Sequence, residues 1–205
     1  MIAAAASPWL FPIVFALTIS DAFLVVVPSE TVIVALGALA TSTGQPNLAI
    51  LLPVAALAAI LGDSLTYALG RAIGVSRFGW MRRARVAAVL GWAARALDRR
   101  AASVLLTARF IPFGRIAVNL TAGATAFPYR RFLGLTAIAG VGWALYNTLI
   151  GAVFGRLFGD NPVIAVVVSV VVAVSIGLVI DLITEKRAKA RRVPYENGVS
   201  RPERP

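Results

Sequence analysis

Long apolar stretches alternate with short polar or basic breaks along most of the chain. Residues 47–70, 132–156 and 162–183 are three such stretches, each dominated by Ala, Val, Leu and Ile. Each is at least as long as the helix of about 20 residues that crosses a hydrocarbon core about 30 Å thick. The pattern therefore predicts three membrane-spanning helices.

Two further apolar regions, residues 9–43 and 101–127, are interrupted near their middle. Pro28-Ser29 breaks the first region, and Pro112 with Gly114 breaks the second. Proline and glycine at these positions favour the end of one helix and the start of another. We therefore expect each region to enter the membrane as a helical hairpin and to return to the side from which it came.

Basic residues are distributed very unevenly and predict the orientation of the chain. All 20 Lys and Arg residues lie from Arg71 onward, and the formal net charge is +11. They cluster in residues 71–100, at 130–131 and in the tail from Lys186. Such clusters between apolar stretches follow the positive-inside rule, so we place them on the cytoplasmic side. The same distribution argues against nucleic acid as a partner.

Together these features predict an all-α polytopic protein of the cell membrane. Residues 1–183 form the membrane domain, residues 82–100 a basic amphipathic helix in the interface, and residues 184–205 a disordered cytoplasmic tail. Two re-entrant hairpins that enter from opposite faces, each followed by a spanning helix, make an inverted repeat, which is a common transporter plan. An alternative topology, in which residues 8–27 span fully and the N-terminus changes side, stays open.

Composition removes several kinds of chemistry. Hydrophobic residues make up 59% of the chain and charged residues only 14%, against about a quarter charged in a soluble domain. The chain has no cysteine and no histidine, which removes disulfides, thiolate catalysis, Ser-His-Asp hydrolysis and most zinc sites. We expect no metal, no cofactor and no enzymatic activity.

Four ionisable residues lie where the two hairpins should be deepest: Asp21, Glu30, Arg109 and Arg115. Each would cost roughly 2.5–3.5 kcal/mol at the centre of a membrane helix if it were unpaired. The simplest way to lower this cost is to pack the acidic hairpin against the basic one. Ionisable residues at membrane depth are a functional hypothesis by default, although a purely structural salt-bridge cluster is the alternative.

The residue types suggest roles. Arg109 and Arg115 can hold a phosphate, because guanidinium groups bind phosphate bidentately and Arg115 follows a helix break where free N–H groups favour an anion. Asp21 and Glu30 would couple movement to protonation or act as counter-charges. Asp63 shares a helix face with Tyr67 and Arg71, and it is either a further functional carboxylate or a partner of Arg71 or of the interfacial helix.

Several short motifs across about residues 15–160 resemble the DedA family of membrane proteins, also called the SNARE-associated or VTT-domain superfamily. The motifs are Arg109-Phe110-Ile111-Pro112-Phe113-Gly114-Arg115, Ala122-Gly123, Phe127-Pro128-Tyr129-Arg130-Arg131-Phe132, Pro28-Ser29-Glu30, Gly62-Asp63 with Tyr67 and Gly70-Arg71, and Gly142-Trp143. The chain departs from the family pattern at Asp21, where the family typically has Glu.

The resemblance implies re-entrant helices, two acids and two arginines essential for function, dependence on the proton-motive force, and movement of lipids such as undecaprenyl phosphate or phospholipids. Our interpretation is a transporter that moves an anionic lipid, a polyprenyl phosphate or a phospholipid, between leaflets. The rivals are an integral membrane enzyme acting on lipid phosphates and an assembly or homeostasis protein without transport. The sequence leaves the lipid, the coupling ion and the oligomeric state open.

Overall fold

The structure, a computed structural model, describes residues 7–24, 29–74, 84–109, 114–158, 161, 163–172 and 175, except the side chains of 84–90. Over these residues the secondary structure is entirely α-helical, as predicted. The helices are α1 (Leu10–Asp21), α2 (Ser29–Thr43), α3 (Leu48–Ile73), α4 (Ala84–Ala108), α5 (Gly114–Ala124), α6 (Tyr129–Leu157) and α7 (Val163–Val172). The predicted tail 184–205 and most of the second half of the stretch 162–183 lie outside the described residues.

Two helices of the described chain are long and apolar enough to cross a membrane. They are α3, with 26 residues and a mean hydropathy of 2.1, and α6, with 29 residues and 1.5. Along α3, Leu57, Leu61, Leu65 and Leu69 recur every four residues and are all exposed. Residues four apart lie on one helix face, so α3 presents a continuous apolar stripe outward, which suits contact with lipid tails.

Local signals set the ends of α3. The Asn47 side chain accepts a hydrogen bond of 2.8 Å from the backbone N–H of Ala49, which satisfies a donor that the helix itself leaves free. Gly74 ends the helix at a φ of 68°, a left-handed conformation that glycine adopts without steric cost. The same helix therefore starts and stops where capping residues occur in the sequence.

The helices form two halves with matching contacts. In each half, the first helix packs on the long helix of its own half: α1 on α3, and α4 on α6. The second helix packs on the long helix of the other half: α2 on α6, and α5 on α3. The long helices α3 and α6 also contact each other. The second helices, α2 and α5, are thus exchanged between the halves.

Glycines allow the exchanged helices to approach closely. A Cβ atom added to Gly123 of α5 would collide with the backbone of Tyr67 in α3, and one added to Gly70 of α3 would collide with Leu120 in α5. In the other half, a Cβ on Gly151 of α6 would collide with the backbone of Val34 in α2. Small residues at helix contacts are how membrane helices gain packing energy without a hydrophobic driving force.

Helix α4 is broken at Arg100, whose φ of −143° and ψ of 42° are not helical. Leu97, Ala101, Leu105 and Ala108 are buried along one face on both sides of this kink. Leu97, Ala101 and Leu105 belong to the same apolar cluster as Phe132 of α6. The packed face fixes the end of α4 and thereby the position of Arg109, which follows it.

Candidate functional site

The four predicted ionisable residues come from matching helix ends in the two halves. Asp21 is the last residue of α1, and Arg109 directly follows α4. Glu30 is the second residue of α2, and Arg115 is the second residue of α5. The first half thus supplies acids at the positions where the second half supplies arginines. Of these four residues, Asp21 and Arg115 form an ion pair with each other across the two halves, whereas Arg109 pairs with Asp63 of α3 and Glu30 is hydrogen-bonded to Trp143.

Arg109 forms the most deeply buried ion pair of the described residues, and its partner is Asp63 of α3. Nη1 of Arg109 donates a hydrogen bond of 2.8 Å to Oδ2 of Asp63. The side chains are only 4% and 3% exposed. Breaking such a buried pair by removing one partner typically costs about 3–5 kcal/mol. The pair therefore ties the loop end of α4 firmly to the middle of α3.

Arg115 contacts two acids. Its Nη2 donates to Oδ2 of Asp21 at 3.0 Å and to the main-chain oxygen of Asp21 at 2.8 Å. Its Nε lies 3.6 Å from Oδ1 of Asp63. Because the main-chain oxygen belongs to the end of α1, Arg115 also supplies a hydrogen bond that the helix terminus lacks. Among the described residues, Asp63 is the acid that forms ion pairs with both arginines.

Sequence reasoning missed Asn119 of α5. Its side-chain amide donates a hydrogen bond of 2.9 Å to Oδ1 of Asp63, and Asn119 is 3% exposed. Asn119 lies four residues after Arg115, so both side chains share one face of α5. This spacing was the available signal. An isolated asparagine in an apolar helix did not reveal which partner it had.

Trp143 of α6 also contacts the charged residues. Its indole Nε1 donates to Oε1 of Glu30 at 3.3 Å. The Cζ atom of Arg109 lies 5.3 Å from the centre of the Trp143 ring, within cation–π range. Trp143 thus links Glu30, which is exposed, to Arg109, which is buried. The Gly142-Trp143 motif was the sequence signal for it.

The guanidinium of Arg109 retains unused donors. Its Nε and Nη2 atoms are buried and have no hydrogen-bond partner among the described residues. Buried polar groups are normally hydrogen-bonded, and each exception calls for an explanation. With Nη1 bound to Asp63, the free edge of the guanidinium offers two parallel donors, which is the arrangement that binds a carboxylate or phosphate bidentately.

Tyr67 and Arg71 lie at the C-terminal part of α3, away from the ion pairs. The Tyr67 hydroxyl donates a hydrogen bond of 2.5 Å to the main-chain oxygen of Phe127, just before α6. Its ring lies 4.7 Å from that of Phe132. Arg71 is exposed. Among the described side chains, the ion-pair partners of Asp63 are Arg109 and Arg115, in place of Arg71 or the predicted interfacial helix 82–100.

The arrangement is balanced in charge and contains no metal cluster. Arg109 and Arg115 carry two positive charges, and Asp63 and Asp21 carry two negative ones. Within the described ranges, no three acidic side chains come together as metal ligands. What the geometry offers is a partly buried pair of guanidinium groups, already occupied on one side by carboxylates, with further donors available for an anion.

Comparison with known proteins identifies the family. The model of the VTT domain family matches residues 27–153, more than half of the chain. The chain is 29% identical over 194 residues to Protein DedA of Escherichia coli (strain K12), covering 89% of this chain and 86% of that protein. It is 34% identical over 64 residues, 31% of this chain and 32% of the other, to Undecaprenyl phosphate transporter A of Bacillus subtilis (strain 168).

A third relative is an uncharacterized membrane protein of Mycobacterium tuberculosis (strain ATCC 25618 / H37Rv), 29% identical over 136 residues, 63% of this chain and 58% of that protein. No solved structure matches the chain significantly. The family match covers the ends of α2, α4 and α5 that carry Glu30, Arg109 and Arg115. The resemblance drawn from the motifs is thereby confirmed: the chain belongs to the DedA family of VTT-domain membrane proteins.

Proposed function

We propose that this protein moves an anionic lipid, a polyprenyl phosphate or a phospholipid, between the leaflets of the cell membrane. Arg109 and Arg115 bind the phosphate, and the apolar outer faces of the helices accommodate the lipid tail. Asp21 and Glu30 couple the movement to protons or act as counter-charges. On this proposal the protein is a transporter of the lipid and leaves it chemically unchanged.

The observation that carries the proposal is the free edge of Arg109. A guanidinium that is 4% exposed and leaves Nε and Nη2 without partners in the described chain is costly unless something binds there. A phosphate oxygen supplies the missing acceptors, and Arg115 lies close enough to contact the same group, since both arginines reach Asp63. An apolar helical surround favours a phosphate that is attached to a lipid tail.

The proposed topology follows the charges and the matching halves. Helix α1 with α2, and the part of α4 after its kink at Arg100 with α5, form re-entrant hairpins that enter from opposite faces. The part of α4 before the kink lies in the interface, and α3 and α6 span the bilayer. The basic clusters and the C-terminus lie in the cytoplasm. An inverted repeat of this kind places the site near the midplane, between broken helices, where it can open to either side.

Charge balance supports a role for the acids. Two aspartates already balance the two arginines, and Glu30 adds a third acid nearby, so a bound phosphate makes the site strongly negative unless a carboxylate is protonated or moves away. Unpaired charge is far more costly in a water-poor site than in solution. Glu30 is exposed and accepts a hydrogen bond from Trp143, so it is placed to exchange a proton with water while remaining linked to Arg109.

The names of relatives agree with the proposal. One relative is named an undecaprenyl phosphate transporter, and its match covers 31% of this chain. A lipid phosphate carried by that protein has the head group that the arginines here would recognise.

Reconstitution of the pure protein in liposomes tests the proposal. A fluorescently labelled lipid phosphate is placed in one leaflet, and its movement and chemical state are followed over time. We expect the lipid to move unchanged, faster than in protein-free liposomes. Chemical conversion would instead identify an enzyme. Neither movement nor conversion of polyprenyl phosphate or phospholipid would identify an assembly or homeostasis protein.

A further inference from the structure

We propose that Asp63 is an internal anion that bridges the arginine pair when no substrate is bound, and that a phosphate must displace it to contact both Arg109 and Arg115. This inference rests on the proposed function, because it describes how the same arginines exchange one anion for another. Asp63 then acts as a positioning residue. It keeps Arg109 and Arg115 in place between substrates and sets how tightly a phosphate is held.

The geometry singles out Asp63 from the other acids. Asp63 contacts Arg109 through Oδ2 at 2.8 Å and Arg115 through Oδ1, 3.6 Å from its Nε. One oxygen of Asp63 thus faces each arginine. Asp21 contacts Arg115, and Glu30 contacts Trp143. Among the described residues, Asp63 is the acid placed where a phosphate bridging both arginines would lie.

The two contacts of Asp63 differ in strength, which favours exchange. The contact with Arg109 is a short hydrogen bond, whereas the contact with Arg115 is an ion pair at 3.6 Å, beyond good hydrogen-bond length. Arg109 offers two further donors that Asp63 does not use. A phosphate can therefore bind the free edge of Arg109 first and then compete with Asp63 for the rest of the pair.

Asn119 gives the displaced carboxylate a remaining partner. It donates to Oδ1 of Asp63 at 2.9 Å from a position on α5 that is 3% exposed. When a phosphate binds the two arginines, the hydrogen bond from Asn119 is the contact that Asp63 keeps. Asn119 thus stabilises the displaced state relative to a carboxylate without any partner, since an unpaired buried charge is strongly unfavourable.

The test measures binding of dodecyl phosphate to the purified full-length protein in detergent, by titration calorimetry. Asp63→Asn removes the competing charge and keeps the size of the side chain. We expect this variant to bind dodecyl phosphate roughly tenfold more tightly, the factor expected when an internal competitor occupies the site about nine-tenths of the time. Asp98→Asn, the same change at an exposed position of α4, should bind like the wild type.

Unchanged or weaker binding by Asp63→Asn would overturn the inference and leave Asp63 a structural partner of Arg109. A second variant, Asn119→Ala, is measured because Asp63→Asn also removes the ion pair that holds Arg109. We expect Asn119→Ala to weaken binding in the wild-type background and to have little effect in the Asp63→Asn background. Equal weakening in both backgrounds would make Asn119 a direct phosphate ligand and contradict the proposal that Asn119 acts by stabilising the displaced Asp63.

The two proposals fail in different ways. If wild-type protein moved no lipid phosphate in liposomes and bound no dodecyl phosphate, the proposed function would fail. If wild-type protein bound and moved lipid phosphate while Asp63→Asn showed no gain in affinity over Asp98→Asn, the internal-anion inference would fail alone.

Discussion

At the scale of single residues, Arg109 and Arg115 differ in what they have left to offer. Arg115 is 15% exposed and donates twice to Asp21, through the side chain and the main chain. Arg109 is 4% exposed, stacks on Trp143 and keeps Nε and Nη2 unpartnered within the described chain. Arg109 therefore has more hydrogen-bond donors left for an anion than Arg115, which also holds the end of α1.

Glu30 gives a prediction about the proton. Glu30→Gln imitates the protonated carboxyl and keeps an oxygen that can accept from Trp143. We expect this variant to bind lipid but to lose the dependence of its flux on an imposed pH gradient. The measurement is flux in proteoliposomes with and without the gradient, with Asp21→Asn assayed beside it to see whether both acids share the task. A wild-type flux indifferent to the gradient would point to passive scrambling.

Sequence alone located the charged residues but not their partners. Asp21, Glu30, Arg109 and Arg115 stand out because a charge in an apolar stretch is costly and therefore conspicuous. Asp63 is the partner of both arginines because of how α3 is oriented against α5 and the end of α4. That orientation depends on contacts between residues more than 40 positions apart in the sequence. Asn119 and Trp143 are uncharged, so their only sequence signals are the spacing from Arg115 and the Gly142-Trp143 motif, and neither signal identifies the partner of the side chain.

At the scale of helices, the exchange of short helices between the halves depends on glycine. The prediction compares two glycines under the same substitution. Gly123→Ala forces a Cβ against the backbone of Tyr67, whereas Gly134→Ala in α6 meets open space. Overpacking costs about 1–3 kcal/mol, while Gly→Ala in an unhindered helix gains up to about 1 kcal/mol.

We therefore expect Gly123→Ala to lower the thermal unfolding temperature in detergent and Gly134→Ala to leave it unchanged or raise it. In proteoliposomes we also expect reduced lipid flux for Gly123→Ala, because a shifted α5 moves Arg115 and Asn119. Equal unfolding temperatures for the two variants would mean that the close contact of α5 with α3 is not needed for stability.

Helix positions were easier to predict than helix contacts. The apolar stretches 47–70 and 132–156 correspond closely to α3 and α6, because composition and length largely determine a long apolar helix. The kink at Arg100 lies at the predicted boundary between residues 82–100 and 101–127. Which short helix packs on which long helix is set by small residues on facing surfaces, and single-sequence periodicity does not reveal that choice.

At the scale of the whole molecule, the distribution of charge gives a prediction about orientation. The chain has no cysteine, so single introduced cysteines report position without background. In intact cells we expect Trp92→Cys and Tyr195→Cys to be protected from an impermeant thiol reagent and Asp160→Cys to react, because basic clusters stay in the cytoplasm. Reaction of Trp92→Cys from outside would reverse the proposed topology.

Whether Arg109 holds the phosphate of a lipid is tested most directly by measuring flux of a labelled lipid phosphate in proteoliposomes carrying wild type, Arg109→Lys, Arg115→Lys or Arg156→Lys. Lysine keeps the charge but lacks the planar fork, and a charged hydrogen bond is worth about 1.5–3 kcal/mol. We expect flux to fall at least about tenfold for Arg109→Lys and Arg115→Lys, with normal insertion, and to be unchanged for the exposed Arg156→Lys. Normal flux with Arg109→Lys would contradict a phosphate held by the guanidinium fork.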